Sequence, residues 1–339
     1  MPPKVLLTEY FQAVDRYLER ENRMPEFGFR VNIRGHLIEL RFPTEQAAQN
    51  GRISIEGFLS EETRTPDATF LYWHDQCDAF LPEGESLHSS VWTSSDHTGN
   101  FRIGTDDNSL TGCDYTRQRY YFSRPEKTAS VYLNCRHAMV NAFSRWAQAN
   151  DMLLFHAAAV GTAGKGVLVA GRGGSGKSTF AVSCLAEGLD YVSDDYTLLS
   201  ASGPLRAMPL YSIAALREDM ISKIPGLPKP LLEESGGYLG GKPQFHVPSD
   251  RLKDALDIQA IVIPKIGGEQ APSIVPTQAG RVITQMVYST ITQVESRRDS
   301  GLILQMTRRL SGLPVYEFSM STDLKENPAF LRSFIEKEF

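Results

Sequence analysis

Residues 166–179 read Gly-Val-Leu-Val-Ala-Gly-Arg-Gly-Gly-Ser-Gly-Lys-Ser-Thr, an apolar run that ends in a glycine-rich loop and a lysine. Gly171, Gly176, Lys177 and Ser178 satisfy the pattern G-x-x-x-x-G-K-[ST], and Gly173 and Gly174 add freedom between them. Residues 167–170 predict a buried parallel strand. Glycines let backbone N–H groups turn inward around an anion without Cβ clashes, and a helix starting near Lys177 aims its positive end at the same anion. The stretch therefore predicts a phosphate cradle built by Gly171, Arg172, Gly173, Gly174, Ser175, Gly176, Lys177, Ser178 and Thr179. Lys177 is expected to neutralise β- and γ-phosphate oxygens, and the Ser178 hydroxyl to ligate Mg²⁺. The following segment 178–185 has Phe180, Ala181, Cys184 and Leu185 on one apolar face, with Gly188 placed to cap it. Strand, loop and helix in that order distinguish this match from a chance one.

The rest of the chain bounds the setting. With 339 residues it is long for one core, and two domains are expected. It is 41% hydrophobic and 22% charged with a net charge of −5, a balance that argues against nucleic acid or an anionic membrane as the main partner. No apolar run reaches the ~18 residues of a membrane span, and Met1 to Tyr10 lacks the apolar centre of a signal peptide, so a cytoplasmic location is expected. Cys77, Cys113, Cys135 and Cys184 show no C-x-x-C spacing and read as buried or semi-buried thiols. His74-x-x-Cys77 has no second half that would complete a metal site.

Residues 7–21 have helical spacing, and 27–33 and 36–42 alternate like antiparallel strands joined at Arg34-Gly35. Further strands are predicted at 69–73, 101–104 and 119–122. The Ser-, Thr-, Asp- and Gly-rich stretch 85–117 predicts long loops. A compositional break at 123–127 sets the expected boundary between residues 1–125, a mixed, mostly β, domain that can serve substrate recognition, and residues 126–339. Beyond it, an amphipathic helix is predicted at 135–149, a strand at 153–160, a hairpin turn at Thr162-Ala163-Gly164-Lys165, and a short strand at 191–192. Strands near 243–247, 258–263 and 315–318 and helices near 280–292 and 327–337 complete the pattern. Residues 225–242 combine prolines, glycines and charges, and read either as a lid or as a tolerated insertion.

Asp194 and Asp195 follow Lys177 by 17 and 18 residues, one helix and one strand later. That distance returns them to the carboxyl edge of the sheet beside the cradle, where an acid serving Mg²⁺ or a general base is expected. His156, in Phe155-His-Ala-Ala-Ala-Val160, reads as a hydrogen-bonded core residue, as a tuned partner of an aspartate, or as both.

Phe155–Val160, the cradle and Val192-Ser-Asp194-Asp195 together resemble the HPr kinase/phosphorylase superfamily, whose P-loop phosphotransferase core is related to phosphoenolpyruvate carboxykinase. The resemblance covers about residues 130–200 well and 200–339 in outline. It implies an α/β fold of that type preceded by the mixed N-terminal domain, with ATP and Mg²⁺ as cofactors. It implies that Asp194 and Asp195 divide proton transfer and metal binding between them, that His156 orients the catalytic aspartate, and that Ser178 binds the metal; our assignment makes Asp194 the base paired with His156, Asp195 the metal ligand and Lys177 the catalytic cation. The family's Glu-Ile-Arg-Gly signature has no clear counterpart after Asp195; Leu216-Arg217-Glu218-Asp219 is the nearest cluster. The expected acceptor is therefore a hydroxyl on a peptide, a protein or a small molecule, as in relatives that phosphorylate a serine of a ribosomally made peptide. A homo-oligomer is compatible with this reading.

Two functions compete: a kinase that transfers the γ-phosphoryl group to a hydroxyl, and an NTP-hydrolysing switch that controls a partner. The paired aspartates and His156 favour the first. Arg217, Lys242 and Arg308 are candidate transition-state cations, each also readable as a surface charge.

Overall fold

The computed structural model describes residues 7–74, 91–95, 97–104, 109–125, 137–228, 230–231, 242–269, 271–294 and 300–339. The chain divides into two compact units, Met1–Ala149 and Asn150–Phe339, each mixed α/β. The division lies after the helix Val140–Ala149, not at 125/126, because that helix packs on the first sheet; Phe143 meets Phe70 with ring centroids 4.8 Å apart.

In the first unit, β1 (Phe27–Ile33), β2 (His36–Phe42), β3 (Ala68–His74), β4 (Val91–Ser95), β5 (Gly99–Gly104), β6 (Ser109–Asp114) and β7 (Arg119–Arg124) form a seven-stranded sheet in the order β1-β2-β3-β7-β6-β5-β4. The β2/β3 and β3/β7 pairs are parallel and the others antiparallel. Arg34 and Gly35, both at positive φ, make the predicted two-residue hairpin turn. Alternation along the strands sends Leu71, Trp73 and Tyr121 to the face covered by Phe11, Val14 and Leu18 of the helix Leu7–Arg20. Within 91–114 the described residues form three antiparallel strands: the one over 99–104 contains the predicted strand 101–104, and the other two stand where loops were expected. A polar composition does not exclude strands there, since antiparallel ladders tolerate polar residues on one face. Cys77, Cys135 and most of 225–242 lie outside the described residues.

The second unit holds a nine-stranded sheet. Its strands are β8 (Met152–His156), β9 (Ala158–Thr162), β10 (Lys165–Val169), β11 (Asp190–Ser193), β12 (Tyr196–Ser200), β13 (Arg206–Pro209), β16 (Leu256–Glu269), β17 (Ser273–Pro276) and β18 (Val315–Ser321). β14 (Ile213–Ala215) and β15 (Gln244–His246) pair separately. The main order is β11-β9-β10-β16-β13-β12-β8, with β18 on the far part of β16 and β17 beyond it. The predicted strand 153–160 is broken at Ala157, and its halves occupy second and last places in that order. Five strand steps in a flat sheet would separate them by about 24 Å, whereas two residues of chain span at most about 7 Å. The sheet must therefore curl until β8 returns to β9, and the Thr197 hydroxyl donates to the Ala157 carbonyl at 2.7 Å across that closure.

Ala163 and Gly164, at φ +51° and +81°, form the turn between β9 and β10. The helix Lys177–Ala186 buries Phe180, Ala181 and Cys184, and ends at Gly188 with φ +76°. The helix Ala279–Gln293 packs Val282, Ile283, Met286 and Val287 into the core on Leu153, Phe155 and Leu168. Two further helices, Ser300–Leu310 and Glu326–Glu338, cover the sheet. Among the described residues, no helix is long and apolar enough to cross a membrane.

Candidate functional site

β10 runs parallel to β16, and two antiparallel pairings through β9 make β11 parallel to β10 as well. The carboxyl ends of β10 and β11 consequently lie at one edge of the sheet, with the glycine loop leaving the first and Asp194-Asp195 leaving the second. The β9 residue paired with the end of β10 is Ala158, so His156 arrives at the same edge. On the other side of the curled sheet, His156 is the register partner of Tyr196, which directly follows Asp195.

The loop backbone depends on its glycines. Gly171, Gly174 and Gly176 have φ of +147°, +81° and +96°, conformations that L side chains rarely adopt. Arg172, Gly173 and Gly174 form its exposed tip. Ser175 Oγ is buried without a hydrogen-bond partner, although such groups are normally satisfied. The Lys177 ammonium, itself buried, donates to the Gly171 carbonyl at 2.8 Å and the Arg172 carbonyl at 3.5 Å. These carbonyls offset part of the cost of desolvating the charge and hold it against the loop's own backbone. Glycine-permitted curvature, a helix start, an unsatisfied hydroxyl and a buried cation are the donor set that suits a polyphosphate. Ser178 and Thr179, half-buried in the first turn, add hydroxyls, of which that of Ser178 suits a magnesium ion.

The two aspartates have different surroundings. His156 Nε2 lies 2.7 Å from Asp195 Oδ1, with both side chains 12% exposed. On the opposite ring nitrogen, Nδ1, Ser289 Oγ stands at 2.7 Å and Gln293 Nε2 at 2.8 Å. The Tyr196 hydroxyl donates to Gln293 Oε1 at 2.5 Å, which turns the amide nitrogen toward the ring. A carboxylate only accepts, so the Nε2 N–H donates to Asp195, while Ser289 and Gln293 hold the other ring nitrogen. The histidine backbone is fixed as well: His156 N donates to Thr290 Oγ1, on the facing helix Ala279–Gln293, at 2.9 Å.

Asp194 instead accepts from the Tyr191 hydroxyl and the Ala215 backbone N–H, both at 3.3 Å. The expected pairing of His156 with Asp194 is thus corrected: the imidazole is on Asp195. The reason is the chain direction, since Asp195 leads directly into β12, the strand hydrogen-bonded to β8, whereas Asp194 follows β11 and faces β14. Tyr211 is buried near Asp195 and Tyr196; burial first, then those two neighbours, pushes its hydroxyl pKa well above the ordinary value. Of the candidate cations, Arg217 is held bidentately by Asp219 at 2.9 Å, Lys242 leads into β15, and Arg308 lies in the last turn of the helix Ser300–Leu310.

Tyr191, Tyr196, Ser289 and Gln293 were not legible as site residues. Ser289 and Gln293 have i, i+4 spacing beside buried Thr290, a signal that one helix side is polar. Nothing local assigns that side to a histidine 133 residues earlier. No protein-family model matches the chain, and no curated protein matches it significantly.

Proposed function

We propose that the unit Asn150–Phe339 is a P-loop phosphotransferase core of the HPr kinase type, moving the γ-phosphoryl group of ATP to a hydroxyl acceptor. The acceptor class is a peptide, a protein or a small molecule. The observation that carries this reading is the His156–Asp195 pair at the same sheet edge as the glycine loop. A switch needs the loop but has no need of a carboxylate aligned by a histidine to take a proton.

In this reading the loop N–H groups and Lys177 hold the phosphates, and Lys177 balances charge that grows in the transition state. Ser178 and Asp194 would hold Mg²⁺, which supplies charge neutralisation. Asp195 accepts the proton from the acceptor hydroxyl. The His156 N–H donated to Oδ1 fixes the direction of the carboxylate that takes this proton. The roles of the two aspartates are therefore exchanged relative to those expected from the sequence, because the base is the carboxylate that the histidine aligns.

Lys177→Ala tests the reading. Phosphate transfer from γ-labelled ATP to serine-containing peptides and small hydroxyl compounds should fall at least about 10²-fold, with the melting temperature nearly unchanged. Near wild-type transfer in the variant would end the kinase reading. Wild-type hydrolysis without any labelled acceptor would favour the switch.

A further inference from the structure

We infer that Ile266 is an apolar platform for the nucleobase of the bound nucleotide, a proposal that rests on the phosphotransferase reading above. Ile266 is 72% exposed, the largest exposure of any large hydrophobic side chain among the described residues. A single exposed isoleucine is ordinary; its location gives this one meaning. β16 borders β10, and Ile266 reaches back over the start of the cradle helix. A Cβ placed on Gly176 would lie 3.3 Å from Ile266 Cγ1 and 3.4 Å from Met320 Sδ. The isoleucine thus rests beside the glycine that precedes Lys177, supported by buried Met320, its register partner on β18.

The backbone explains its direction. Pairing between β16 and β18 shifts between Ile266 and Glu269, where Gly268 has φ +71°. Such a bulge re-aims the neighbouring side chain. The adjacent Lys265 is paired with Glu317, which satisfies its charge and leaves Ile266 as apolar surface.

The direction of transfer selects the occupant. In-line displacement puts the attacking hydroxyl and the departing nucleoside diphosphate on opposite sides of the phosphorus. Asp195, which receives the hydroxyl proton, meets His156 where the chain enters β9 on one side of β10; β16 and β18 lie on the other. The acceptor therefore belongs on the Asp195 side and the nucleoside on the Ile266 side. An aliphatic platform meets the face of a base and offers no polar group to read its edge, so adenine and guanine should be held equally well.

Calorimetric dissociation constants of the full chain for Mg·ATP, Mg·GTP and Mg·tripolyphosphate test this, using wild type, Ile266→Ser and Ile266→Leu. Ile266→Ser should weaken both nucleotides about 10-fold, equivalent to about 1.4 kcal/mol, and change tripolyphosphate by less than about twofold. Ile266→Leu should retain near wild-type affinity for all three. Unchanged nucleotide affinity in Ile266→Ser overturns the platform while leaving the cradle intact. An equal loss for tripolyphosphate also overturns it, since Ile266 would then only support Gly176. A loss for ATP alone overturns the claim of base indifference and with it the face-only platform. Wild-type protein that binds none of the three removes the phosphotransferase reading and the platform together.

Discussion

Asp194 and Asp195 are adjacent in the chain, yet their side chains are committed to different structures. One accepts from Tyr191 and a backbone N–H of β14; the other is aligned by His156. Asn in place of either removes a negative charge at nearly constant shape, so the two variants test the base and metal roles proposed for the pair. Both variants should lose about 10² to 10⁴-fold in transfer rate. Raising Mg²⁺ in a steady-state assay should restore part of the Asp194→Asn activity and none of the Asp195→Asn activity. Relief of Asp195→Asn alone would return Asp195 to the metal and Asp194 to the base. Both aspartates were legible at this edge from their distance to Lys177, but which of them meets the histidine was not. Pairing across two strands is set by sheet register, and the assignment that made Asp194 the histidine's partner carries no register.

At the scale of elements, the glycine loop is a backbone conformation as much as a set of donors. Gly171, at φ +147°, adopts a geometry available to glycine, and a Cβ there would run into Ser175 Oγ. The serine can rotate away, so the backbone strain sets the larger cost. A Cβ on Gly173 would meet no atom within 4 Å, and the φ of Gly173 is not positive. Gly171→Ala should therefore destabilise the protein by about 1–3 kcal/mol, and Gly173→Ala by no more than about 0.5 kcal/mol. Chemical denaturation of the two variants checks this contrast; equal effects would mean that the loop relaxes without strain. The loop and its helix were readable because every instruction is local: the glycines, the lysine, the apolar face of 178–185 and the terminal Gly188. The break of the predicted strand 153–160 was not local. Residues on both sides of Ala157 are apolar, and the break follows from β8 and β9 pairing with different strands of a curled sheet.

At the scale of the molecule, each unit has an interior of its own. That of the first contains a charged cluster in which Arg117 bridges Asp114 and Asp15, at 2.6 Å each, while Arg119 and the Tyr121 hydroxyl also reach Asp15. Burial pushes the Asp114 pKa up, but hydrogen bonds from Thr116 and Arg117 outweigh it and leave the carboxyl below its ordinary value of 3.8. A depressed carboxyl pKa stabilises the fold at pH above the unfolded value, and that stability is lost as the pH falls through the folded value. Thermal melts between pH 7 and pH 2 should show the acid destabilisation reduced in Asp114→Asn, with a lower Tm at neutral pH. An unchanged slope would exclude Asp114 as a contributor.

The sequence by itself determined the strand–loop–helix cradle, the return of two aspartates to its edge, most of the helices, and the hairpin turns at 34–35 and 163–164. These follow from spacing, turn chemistry and periodicity, interactions that act over a few residues. Only the tertiary structure decided that 91–95 and 109–114 join a sheet, that the units divide after Ala149, and that Ser289 and Gln293 meet the ring of His156. Those features depend on which surfaces meet. The helix Ala279–Gln293 finds β8 by burying its apolar side against Leu153 and Phe155, and its polar residues are carried to the histidine by that packing.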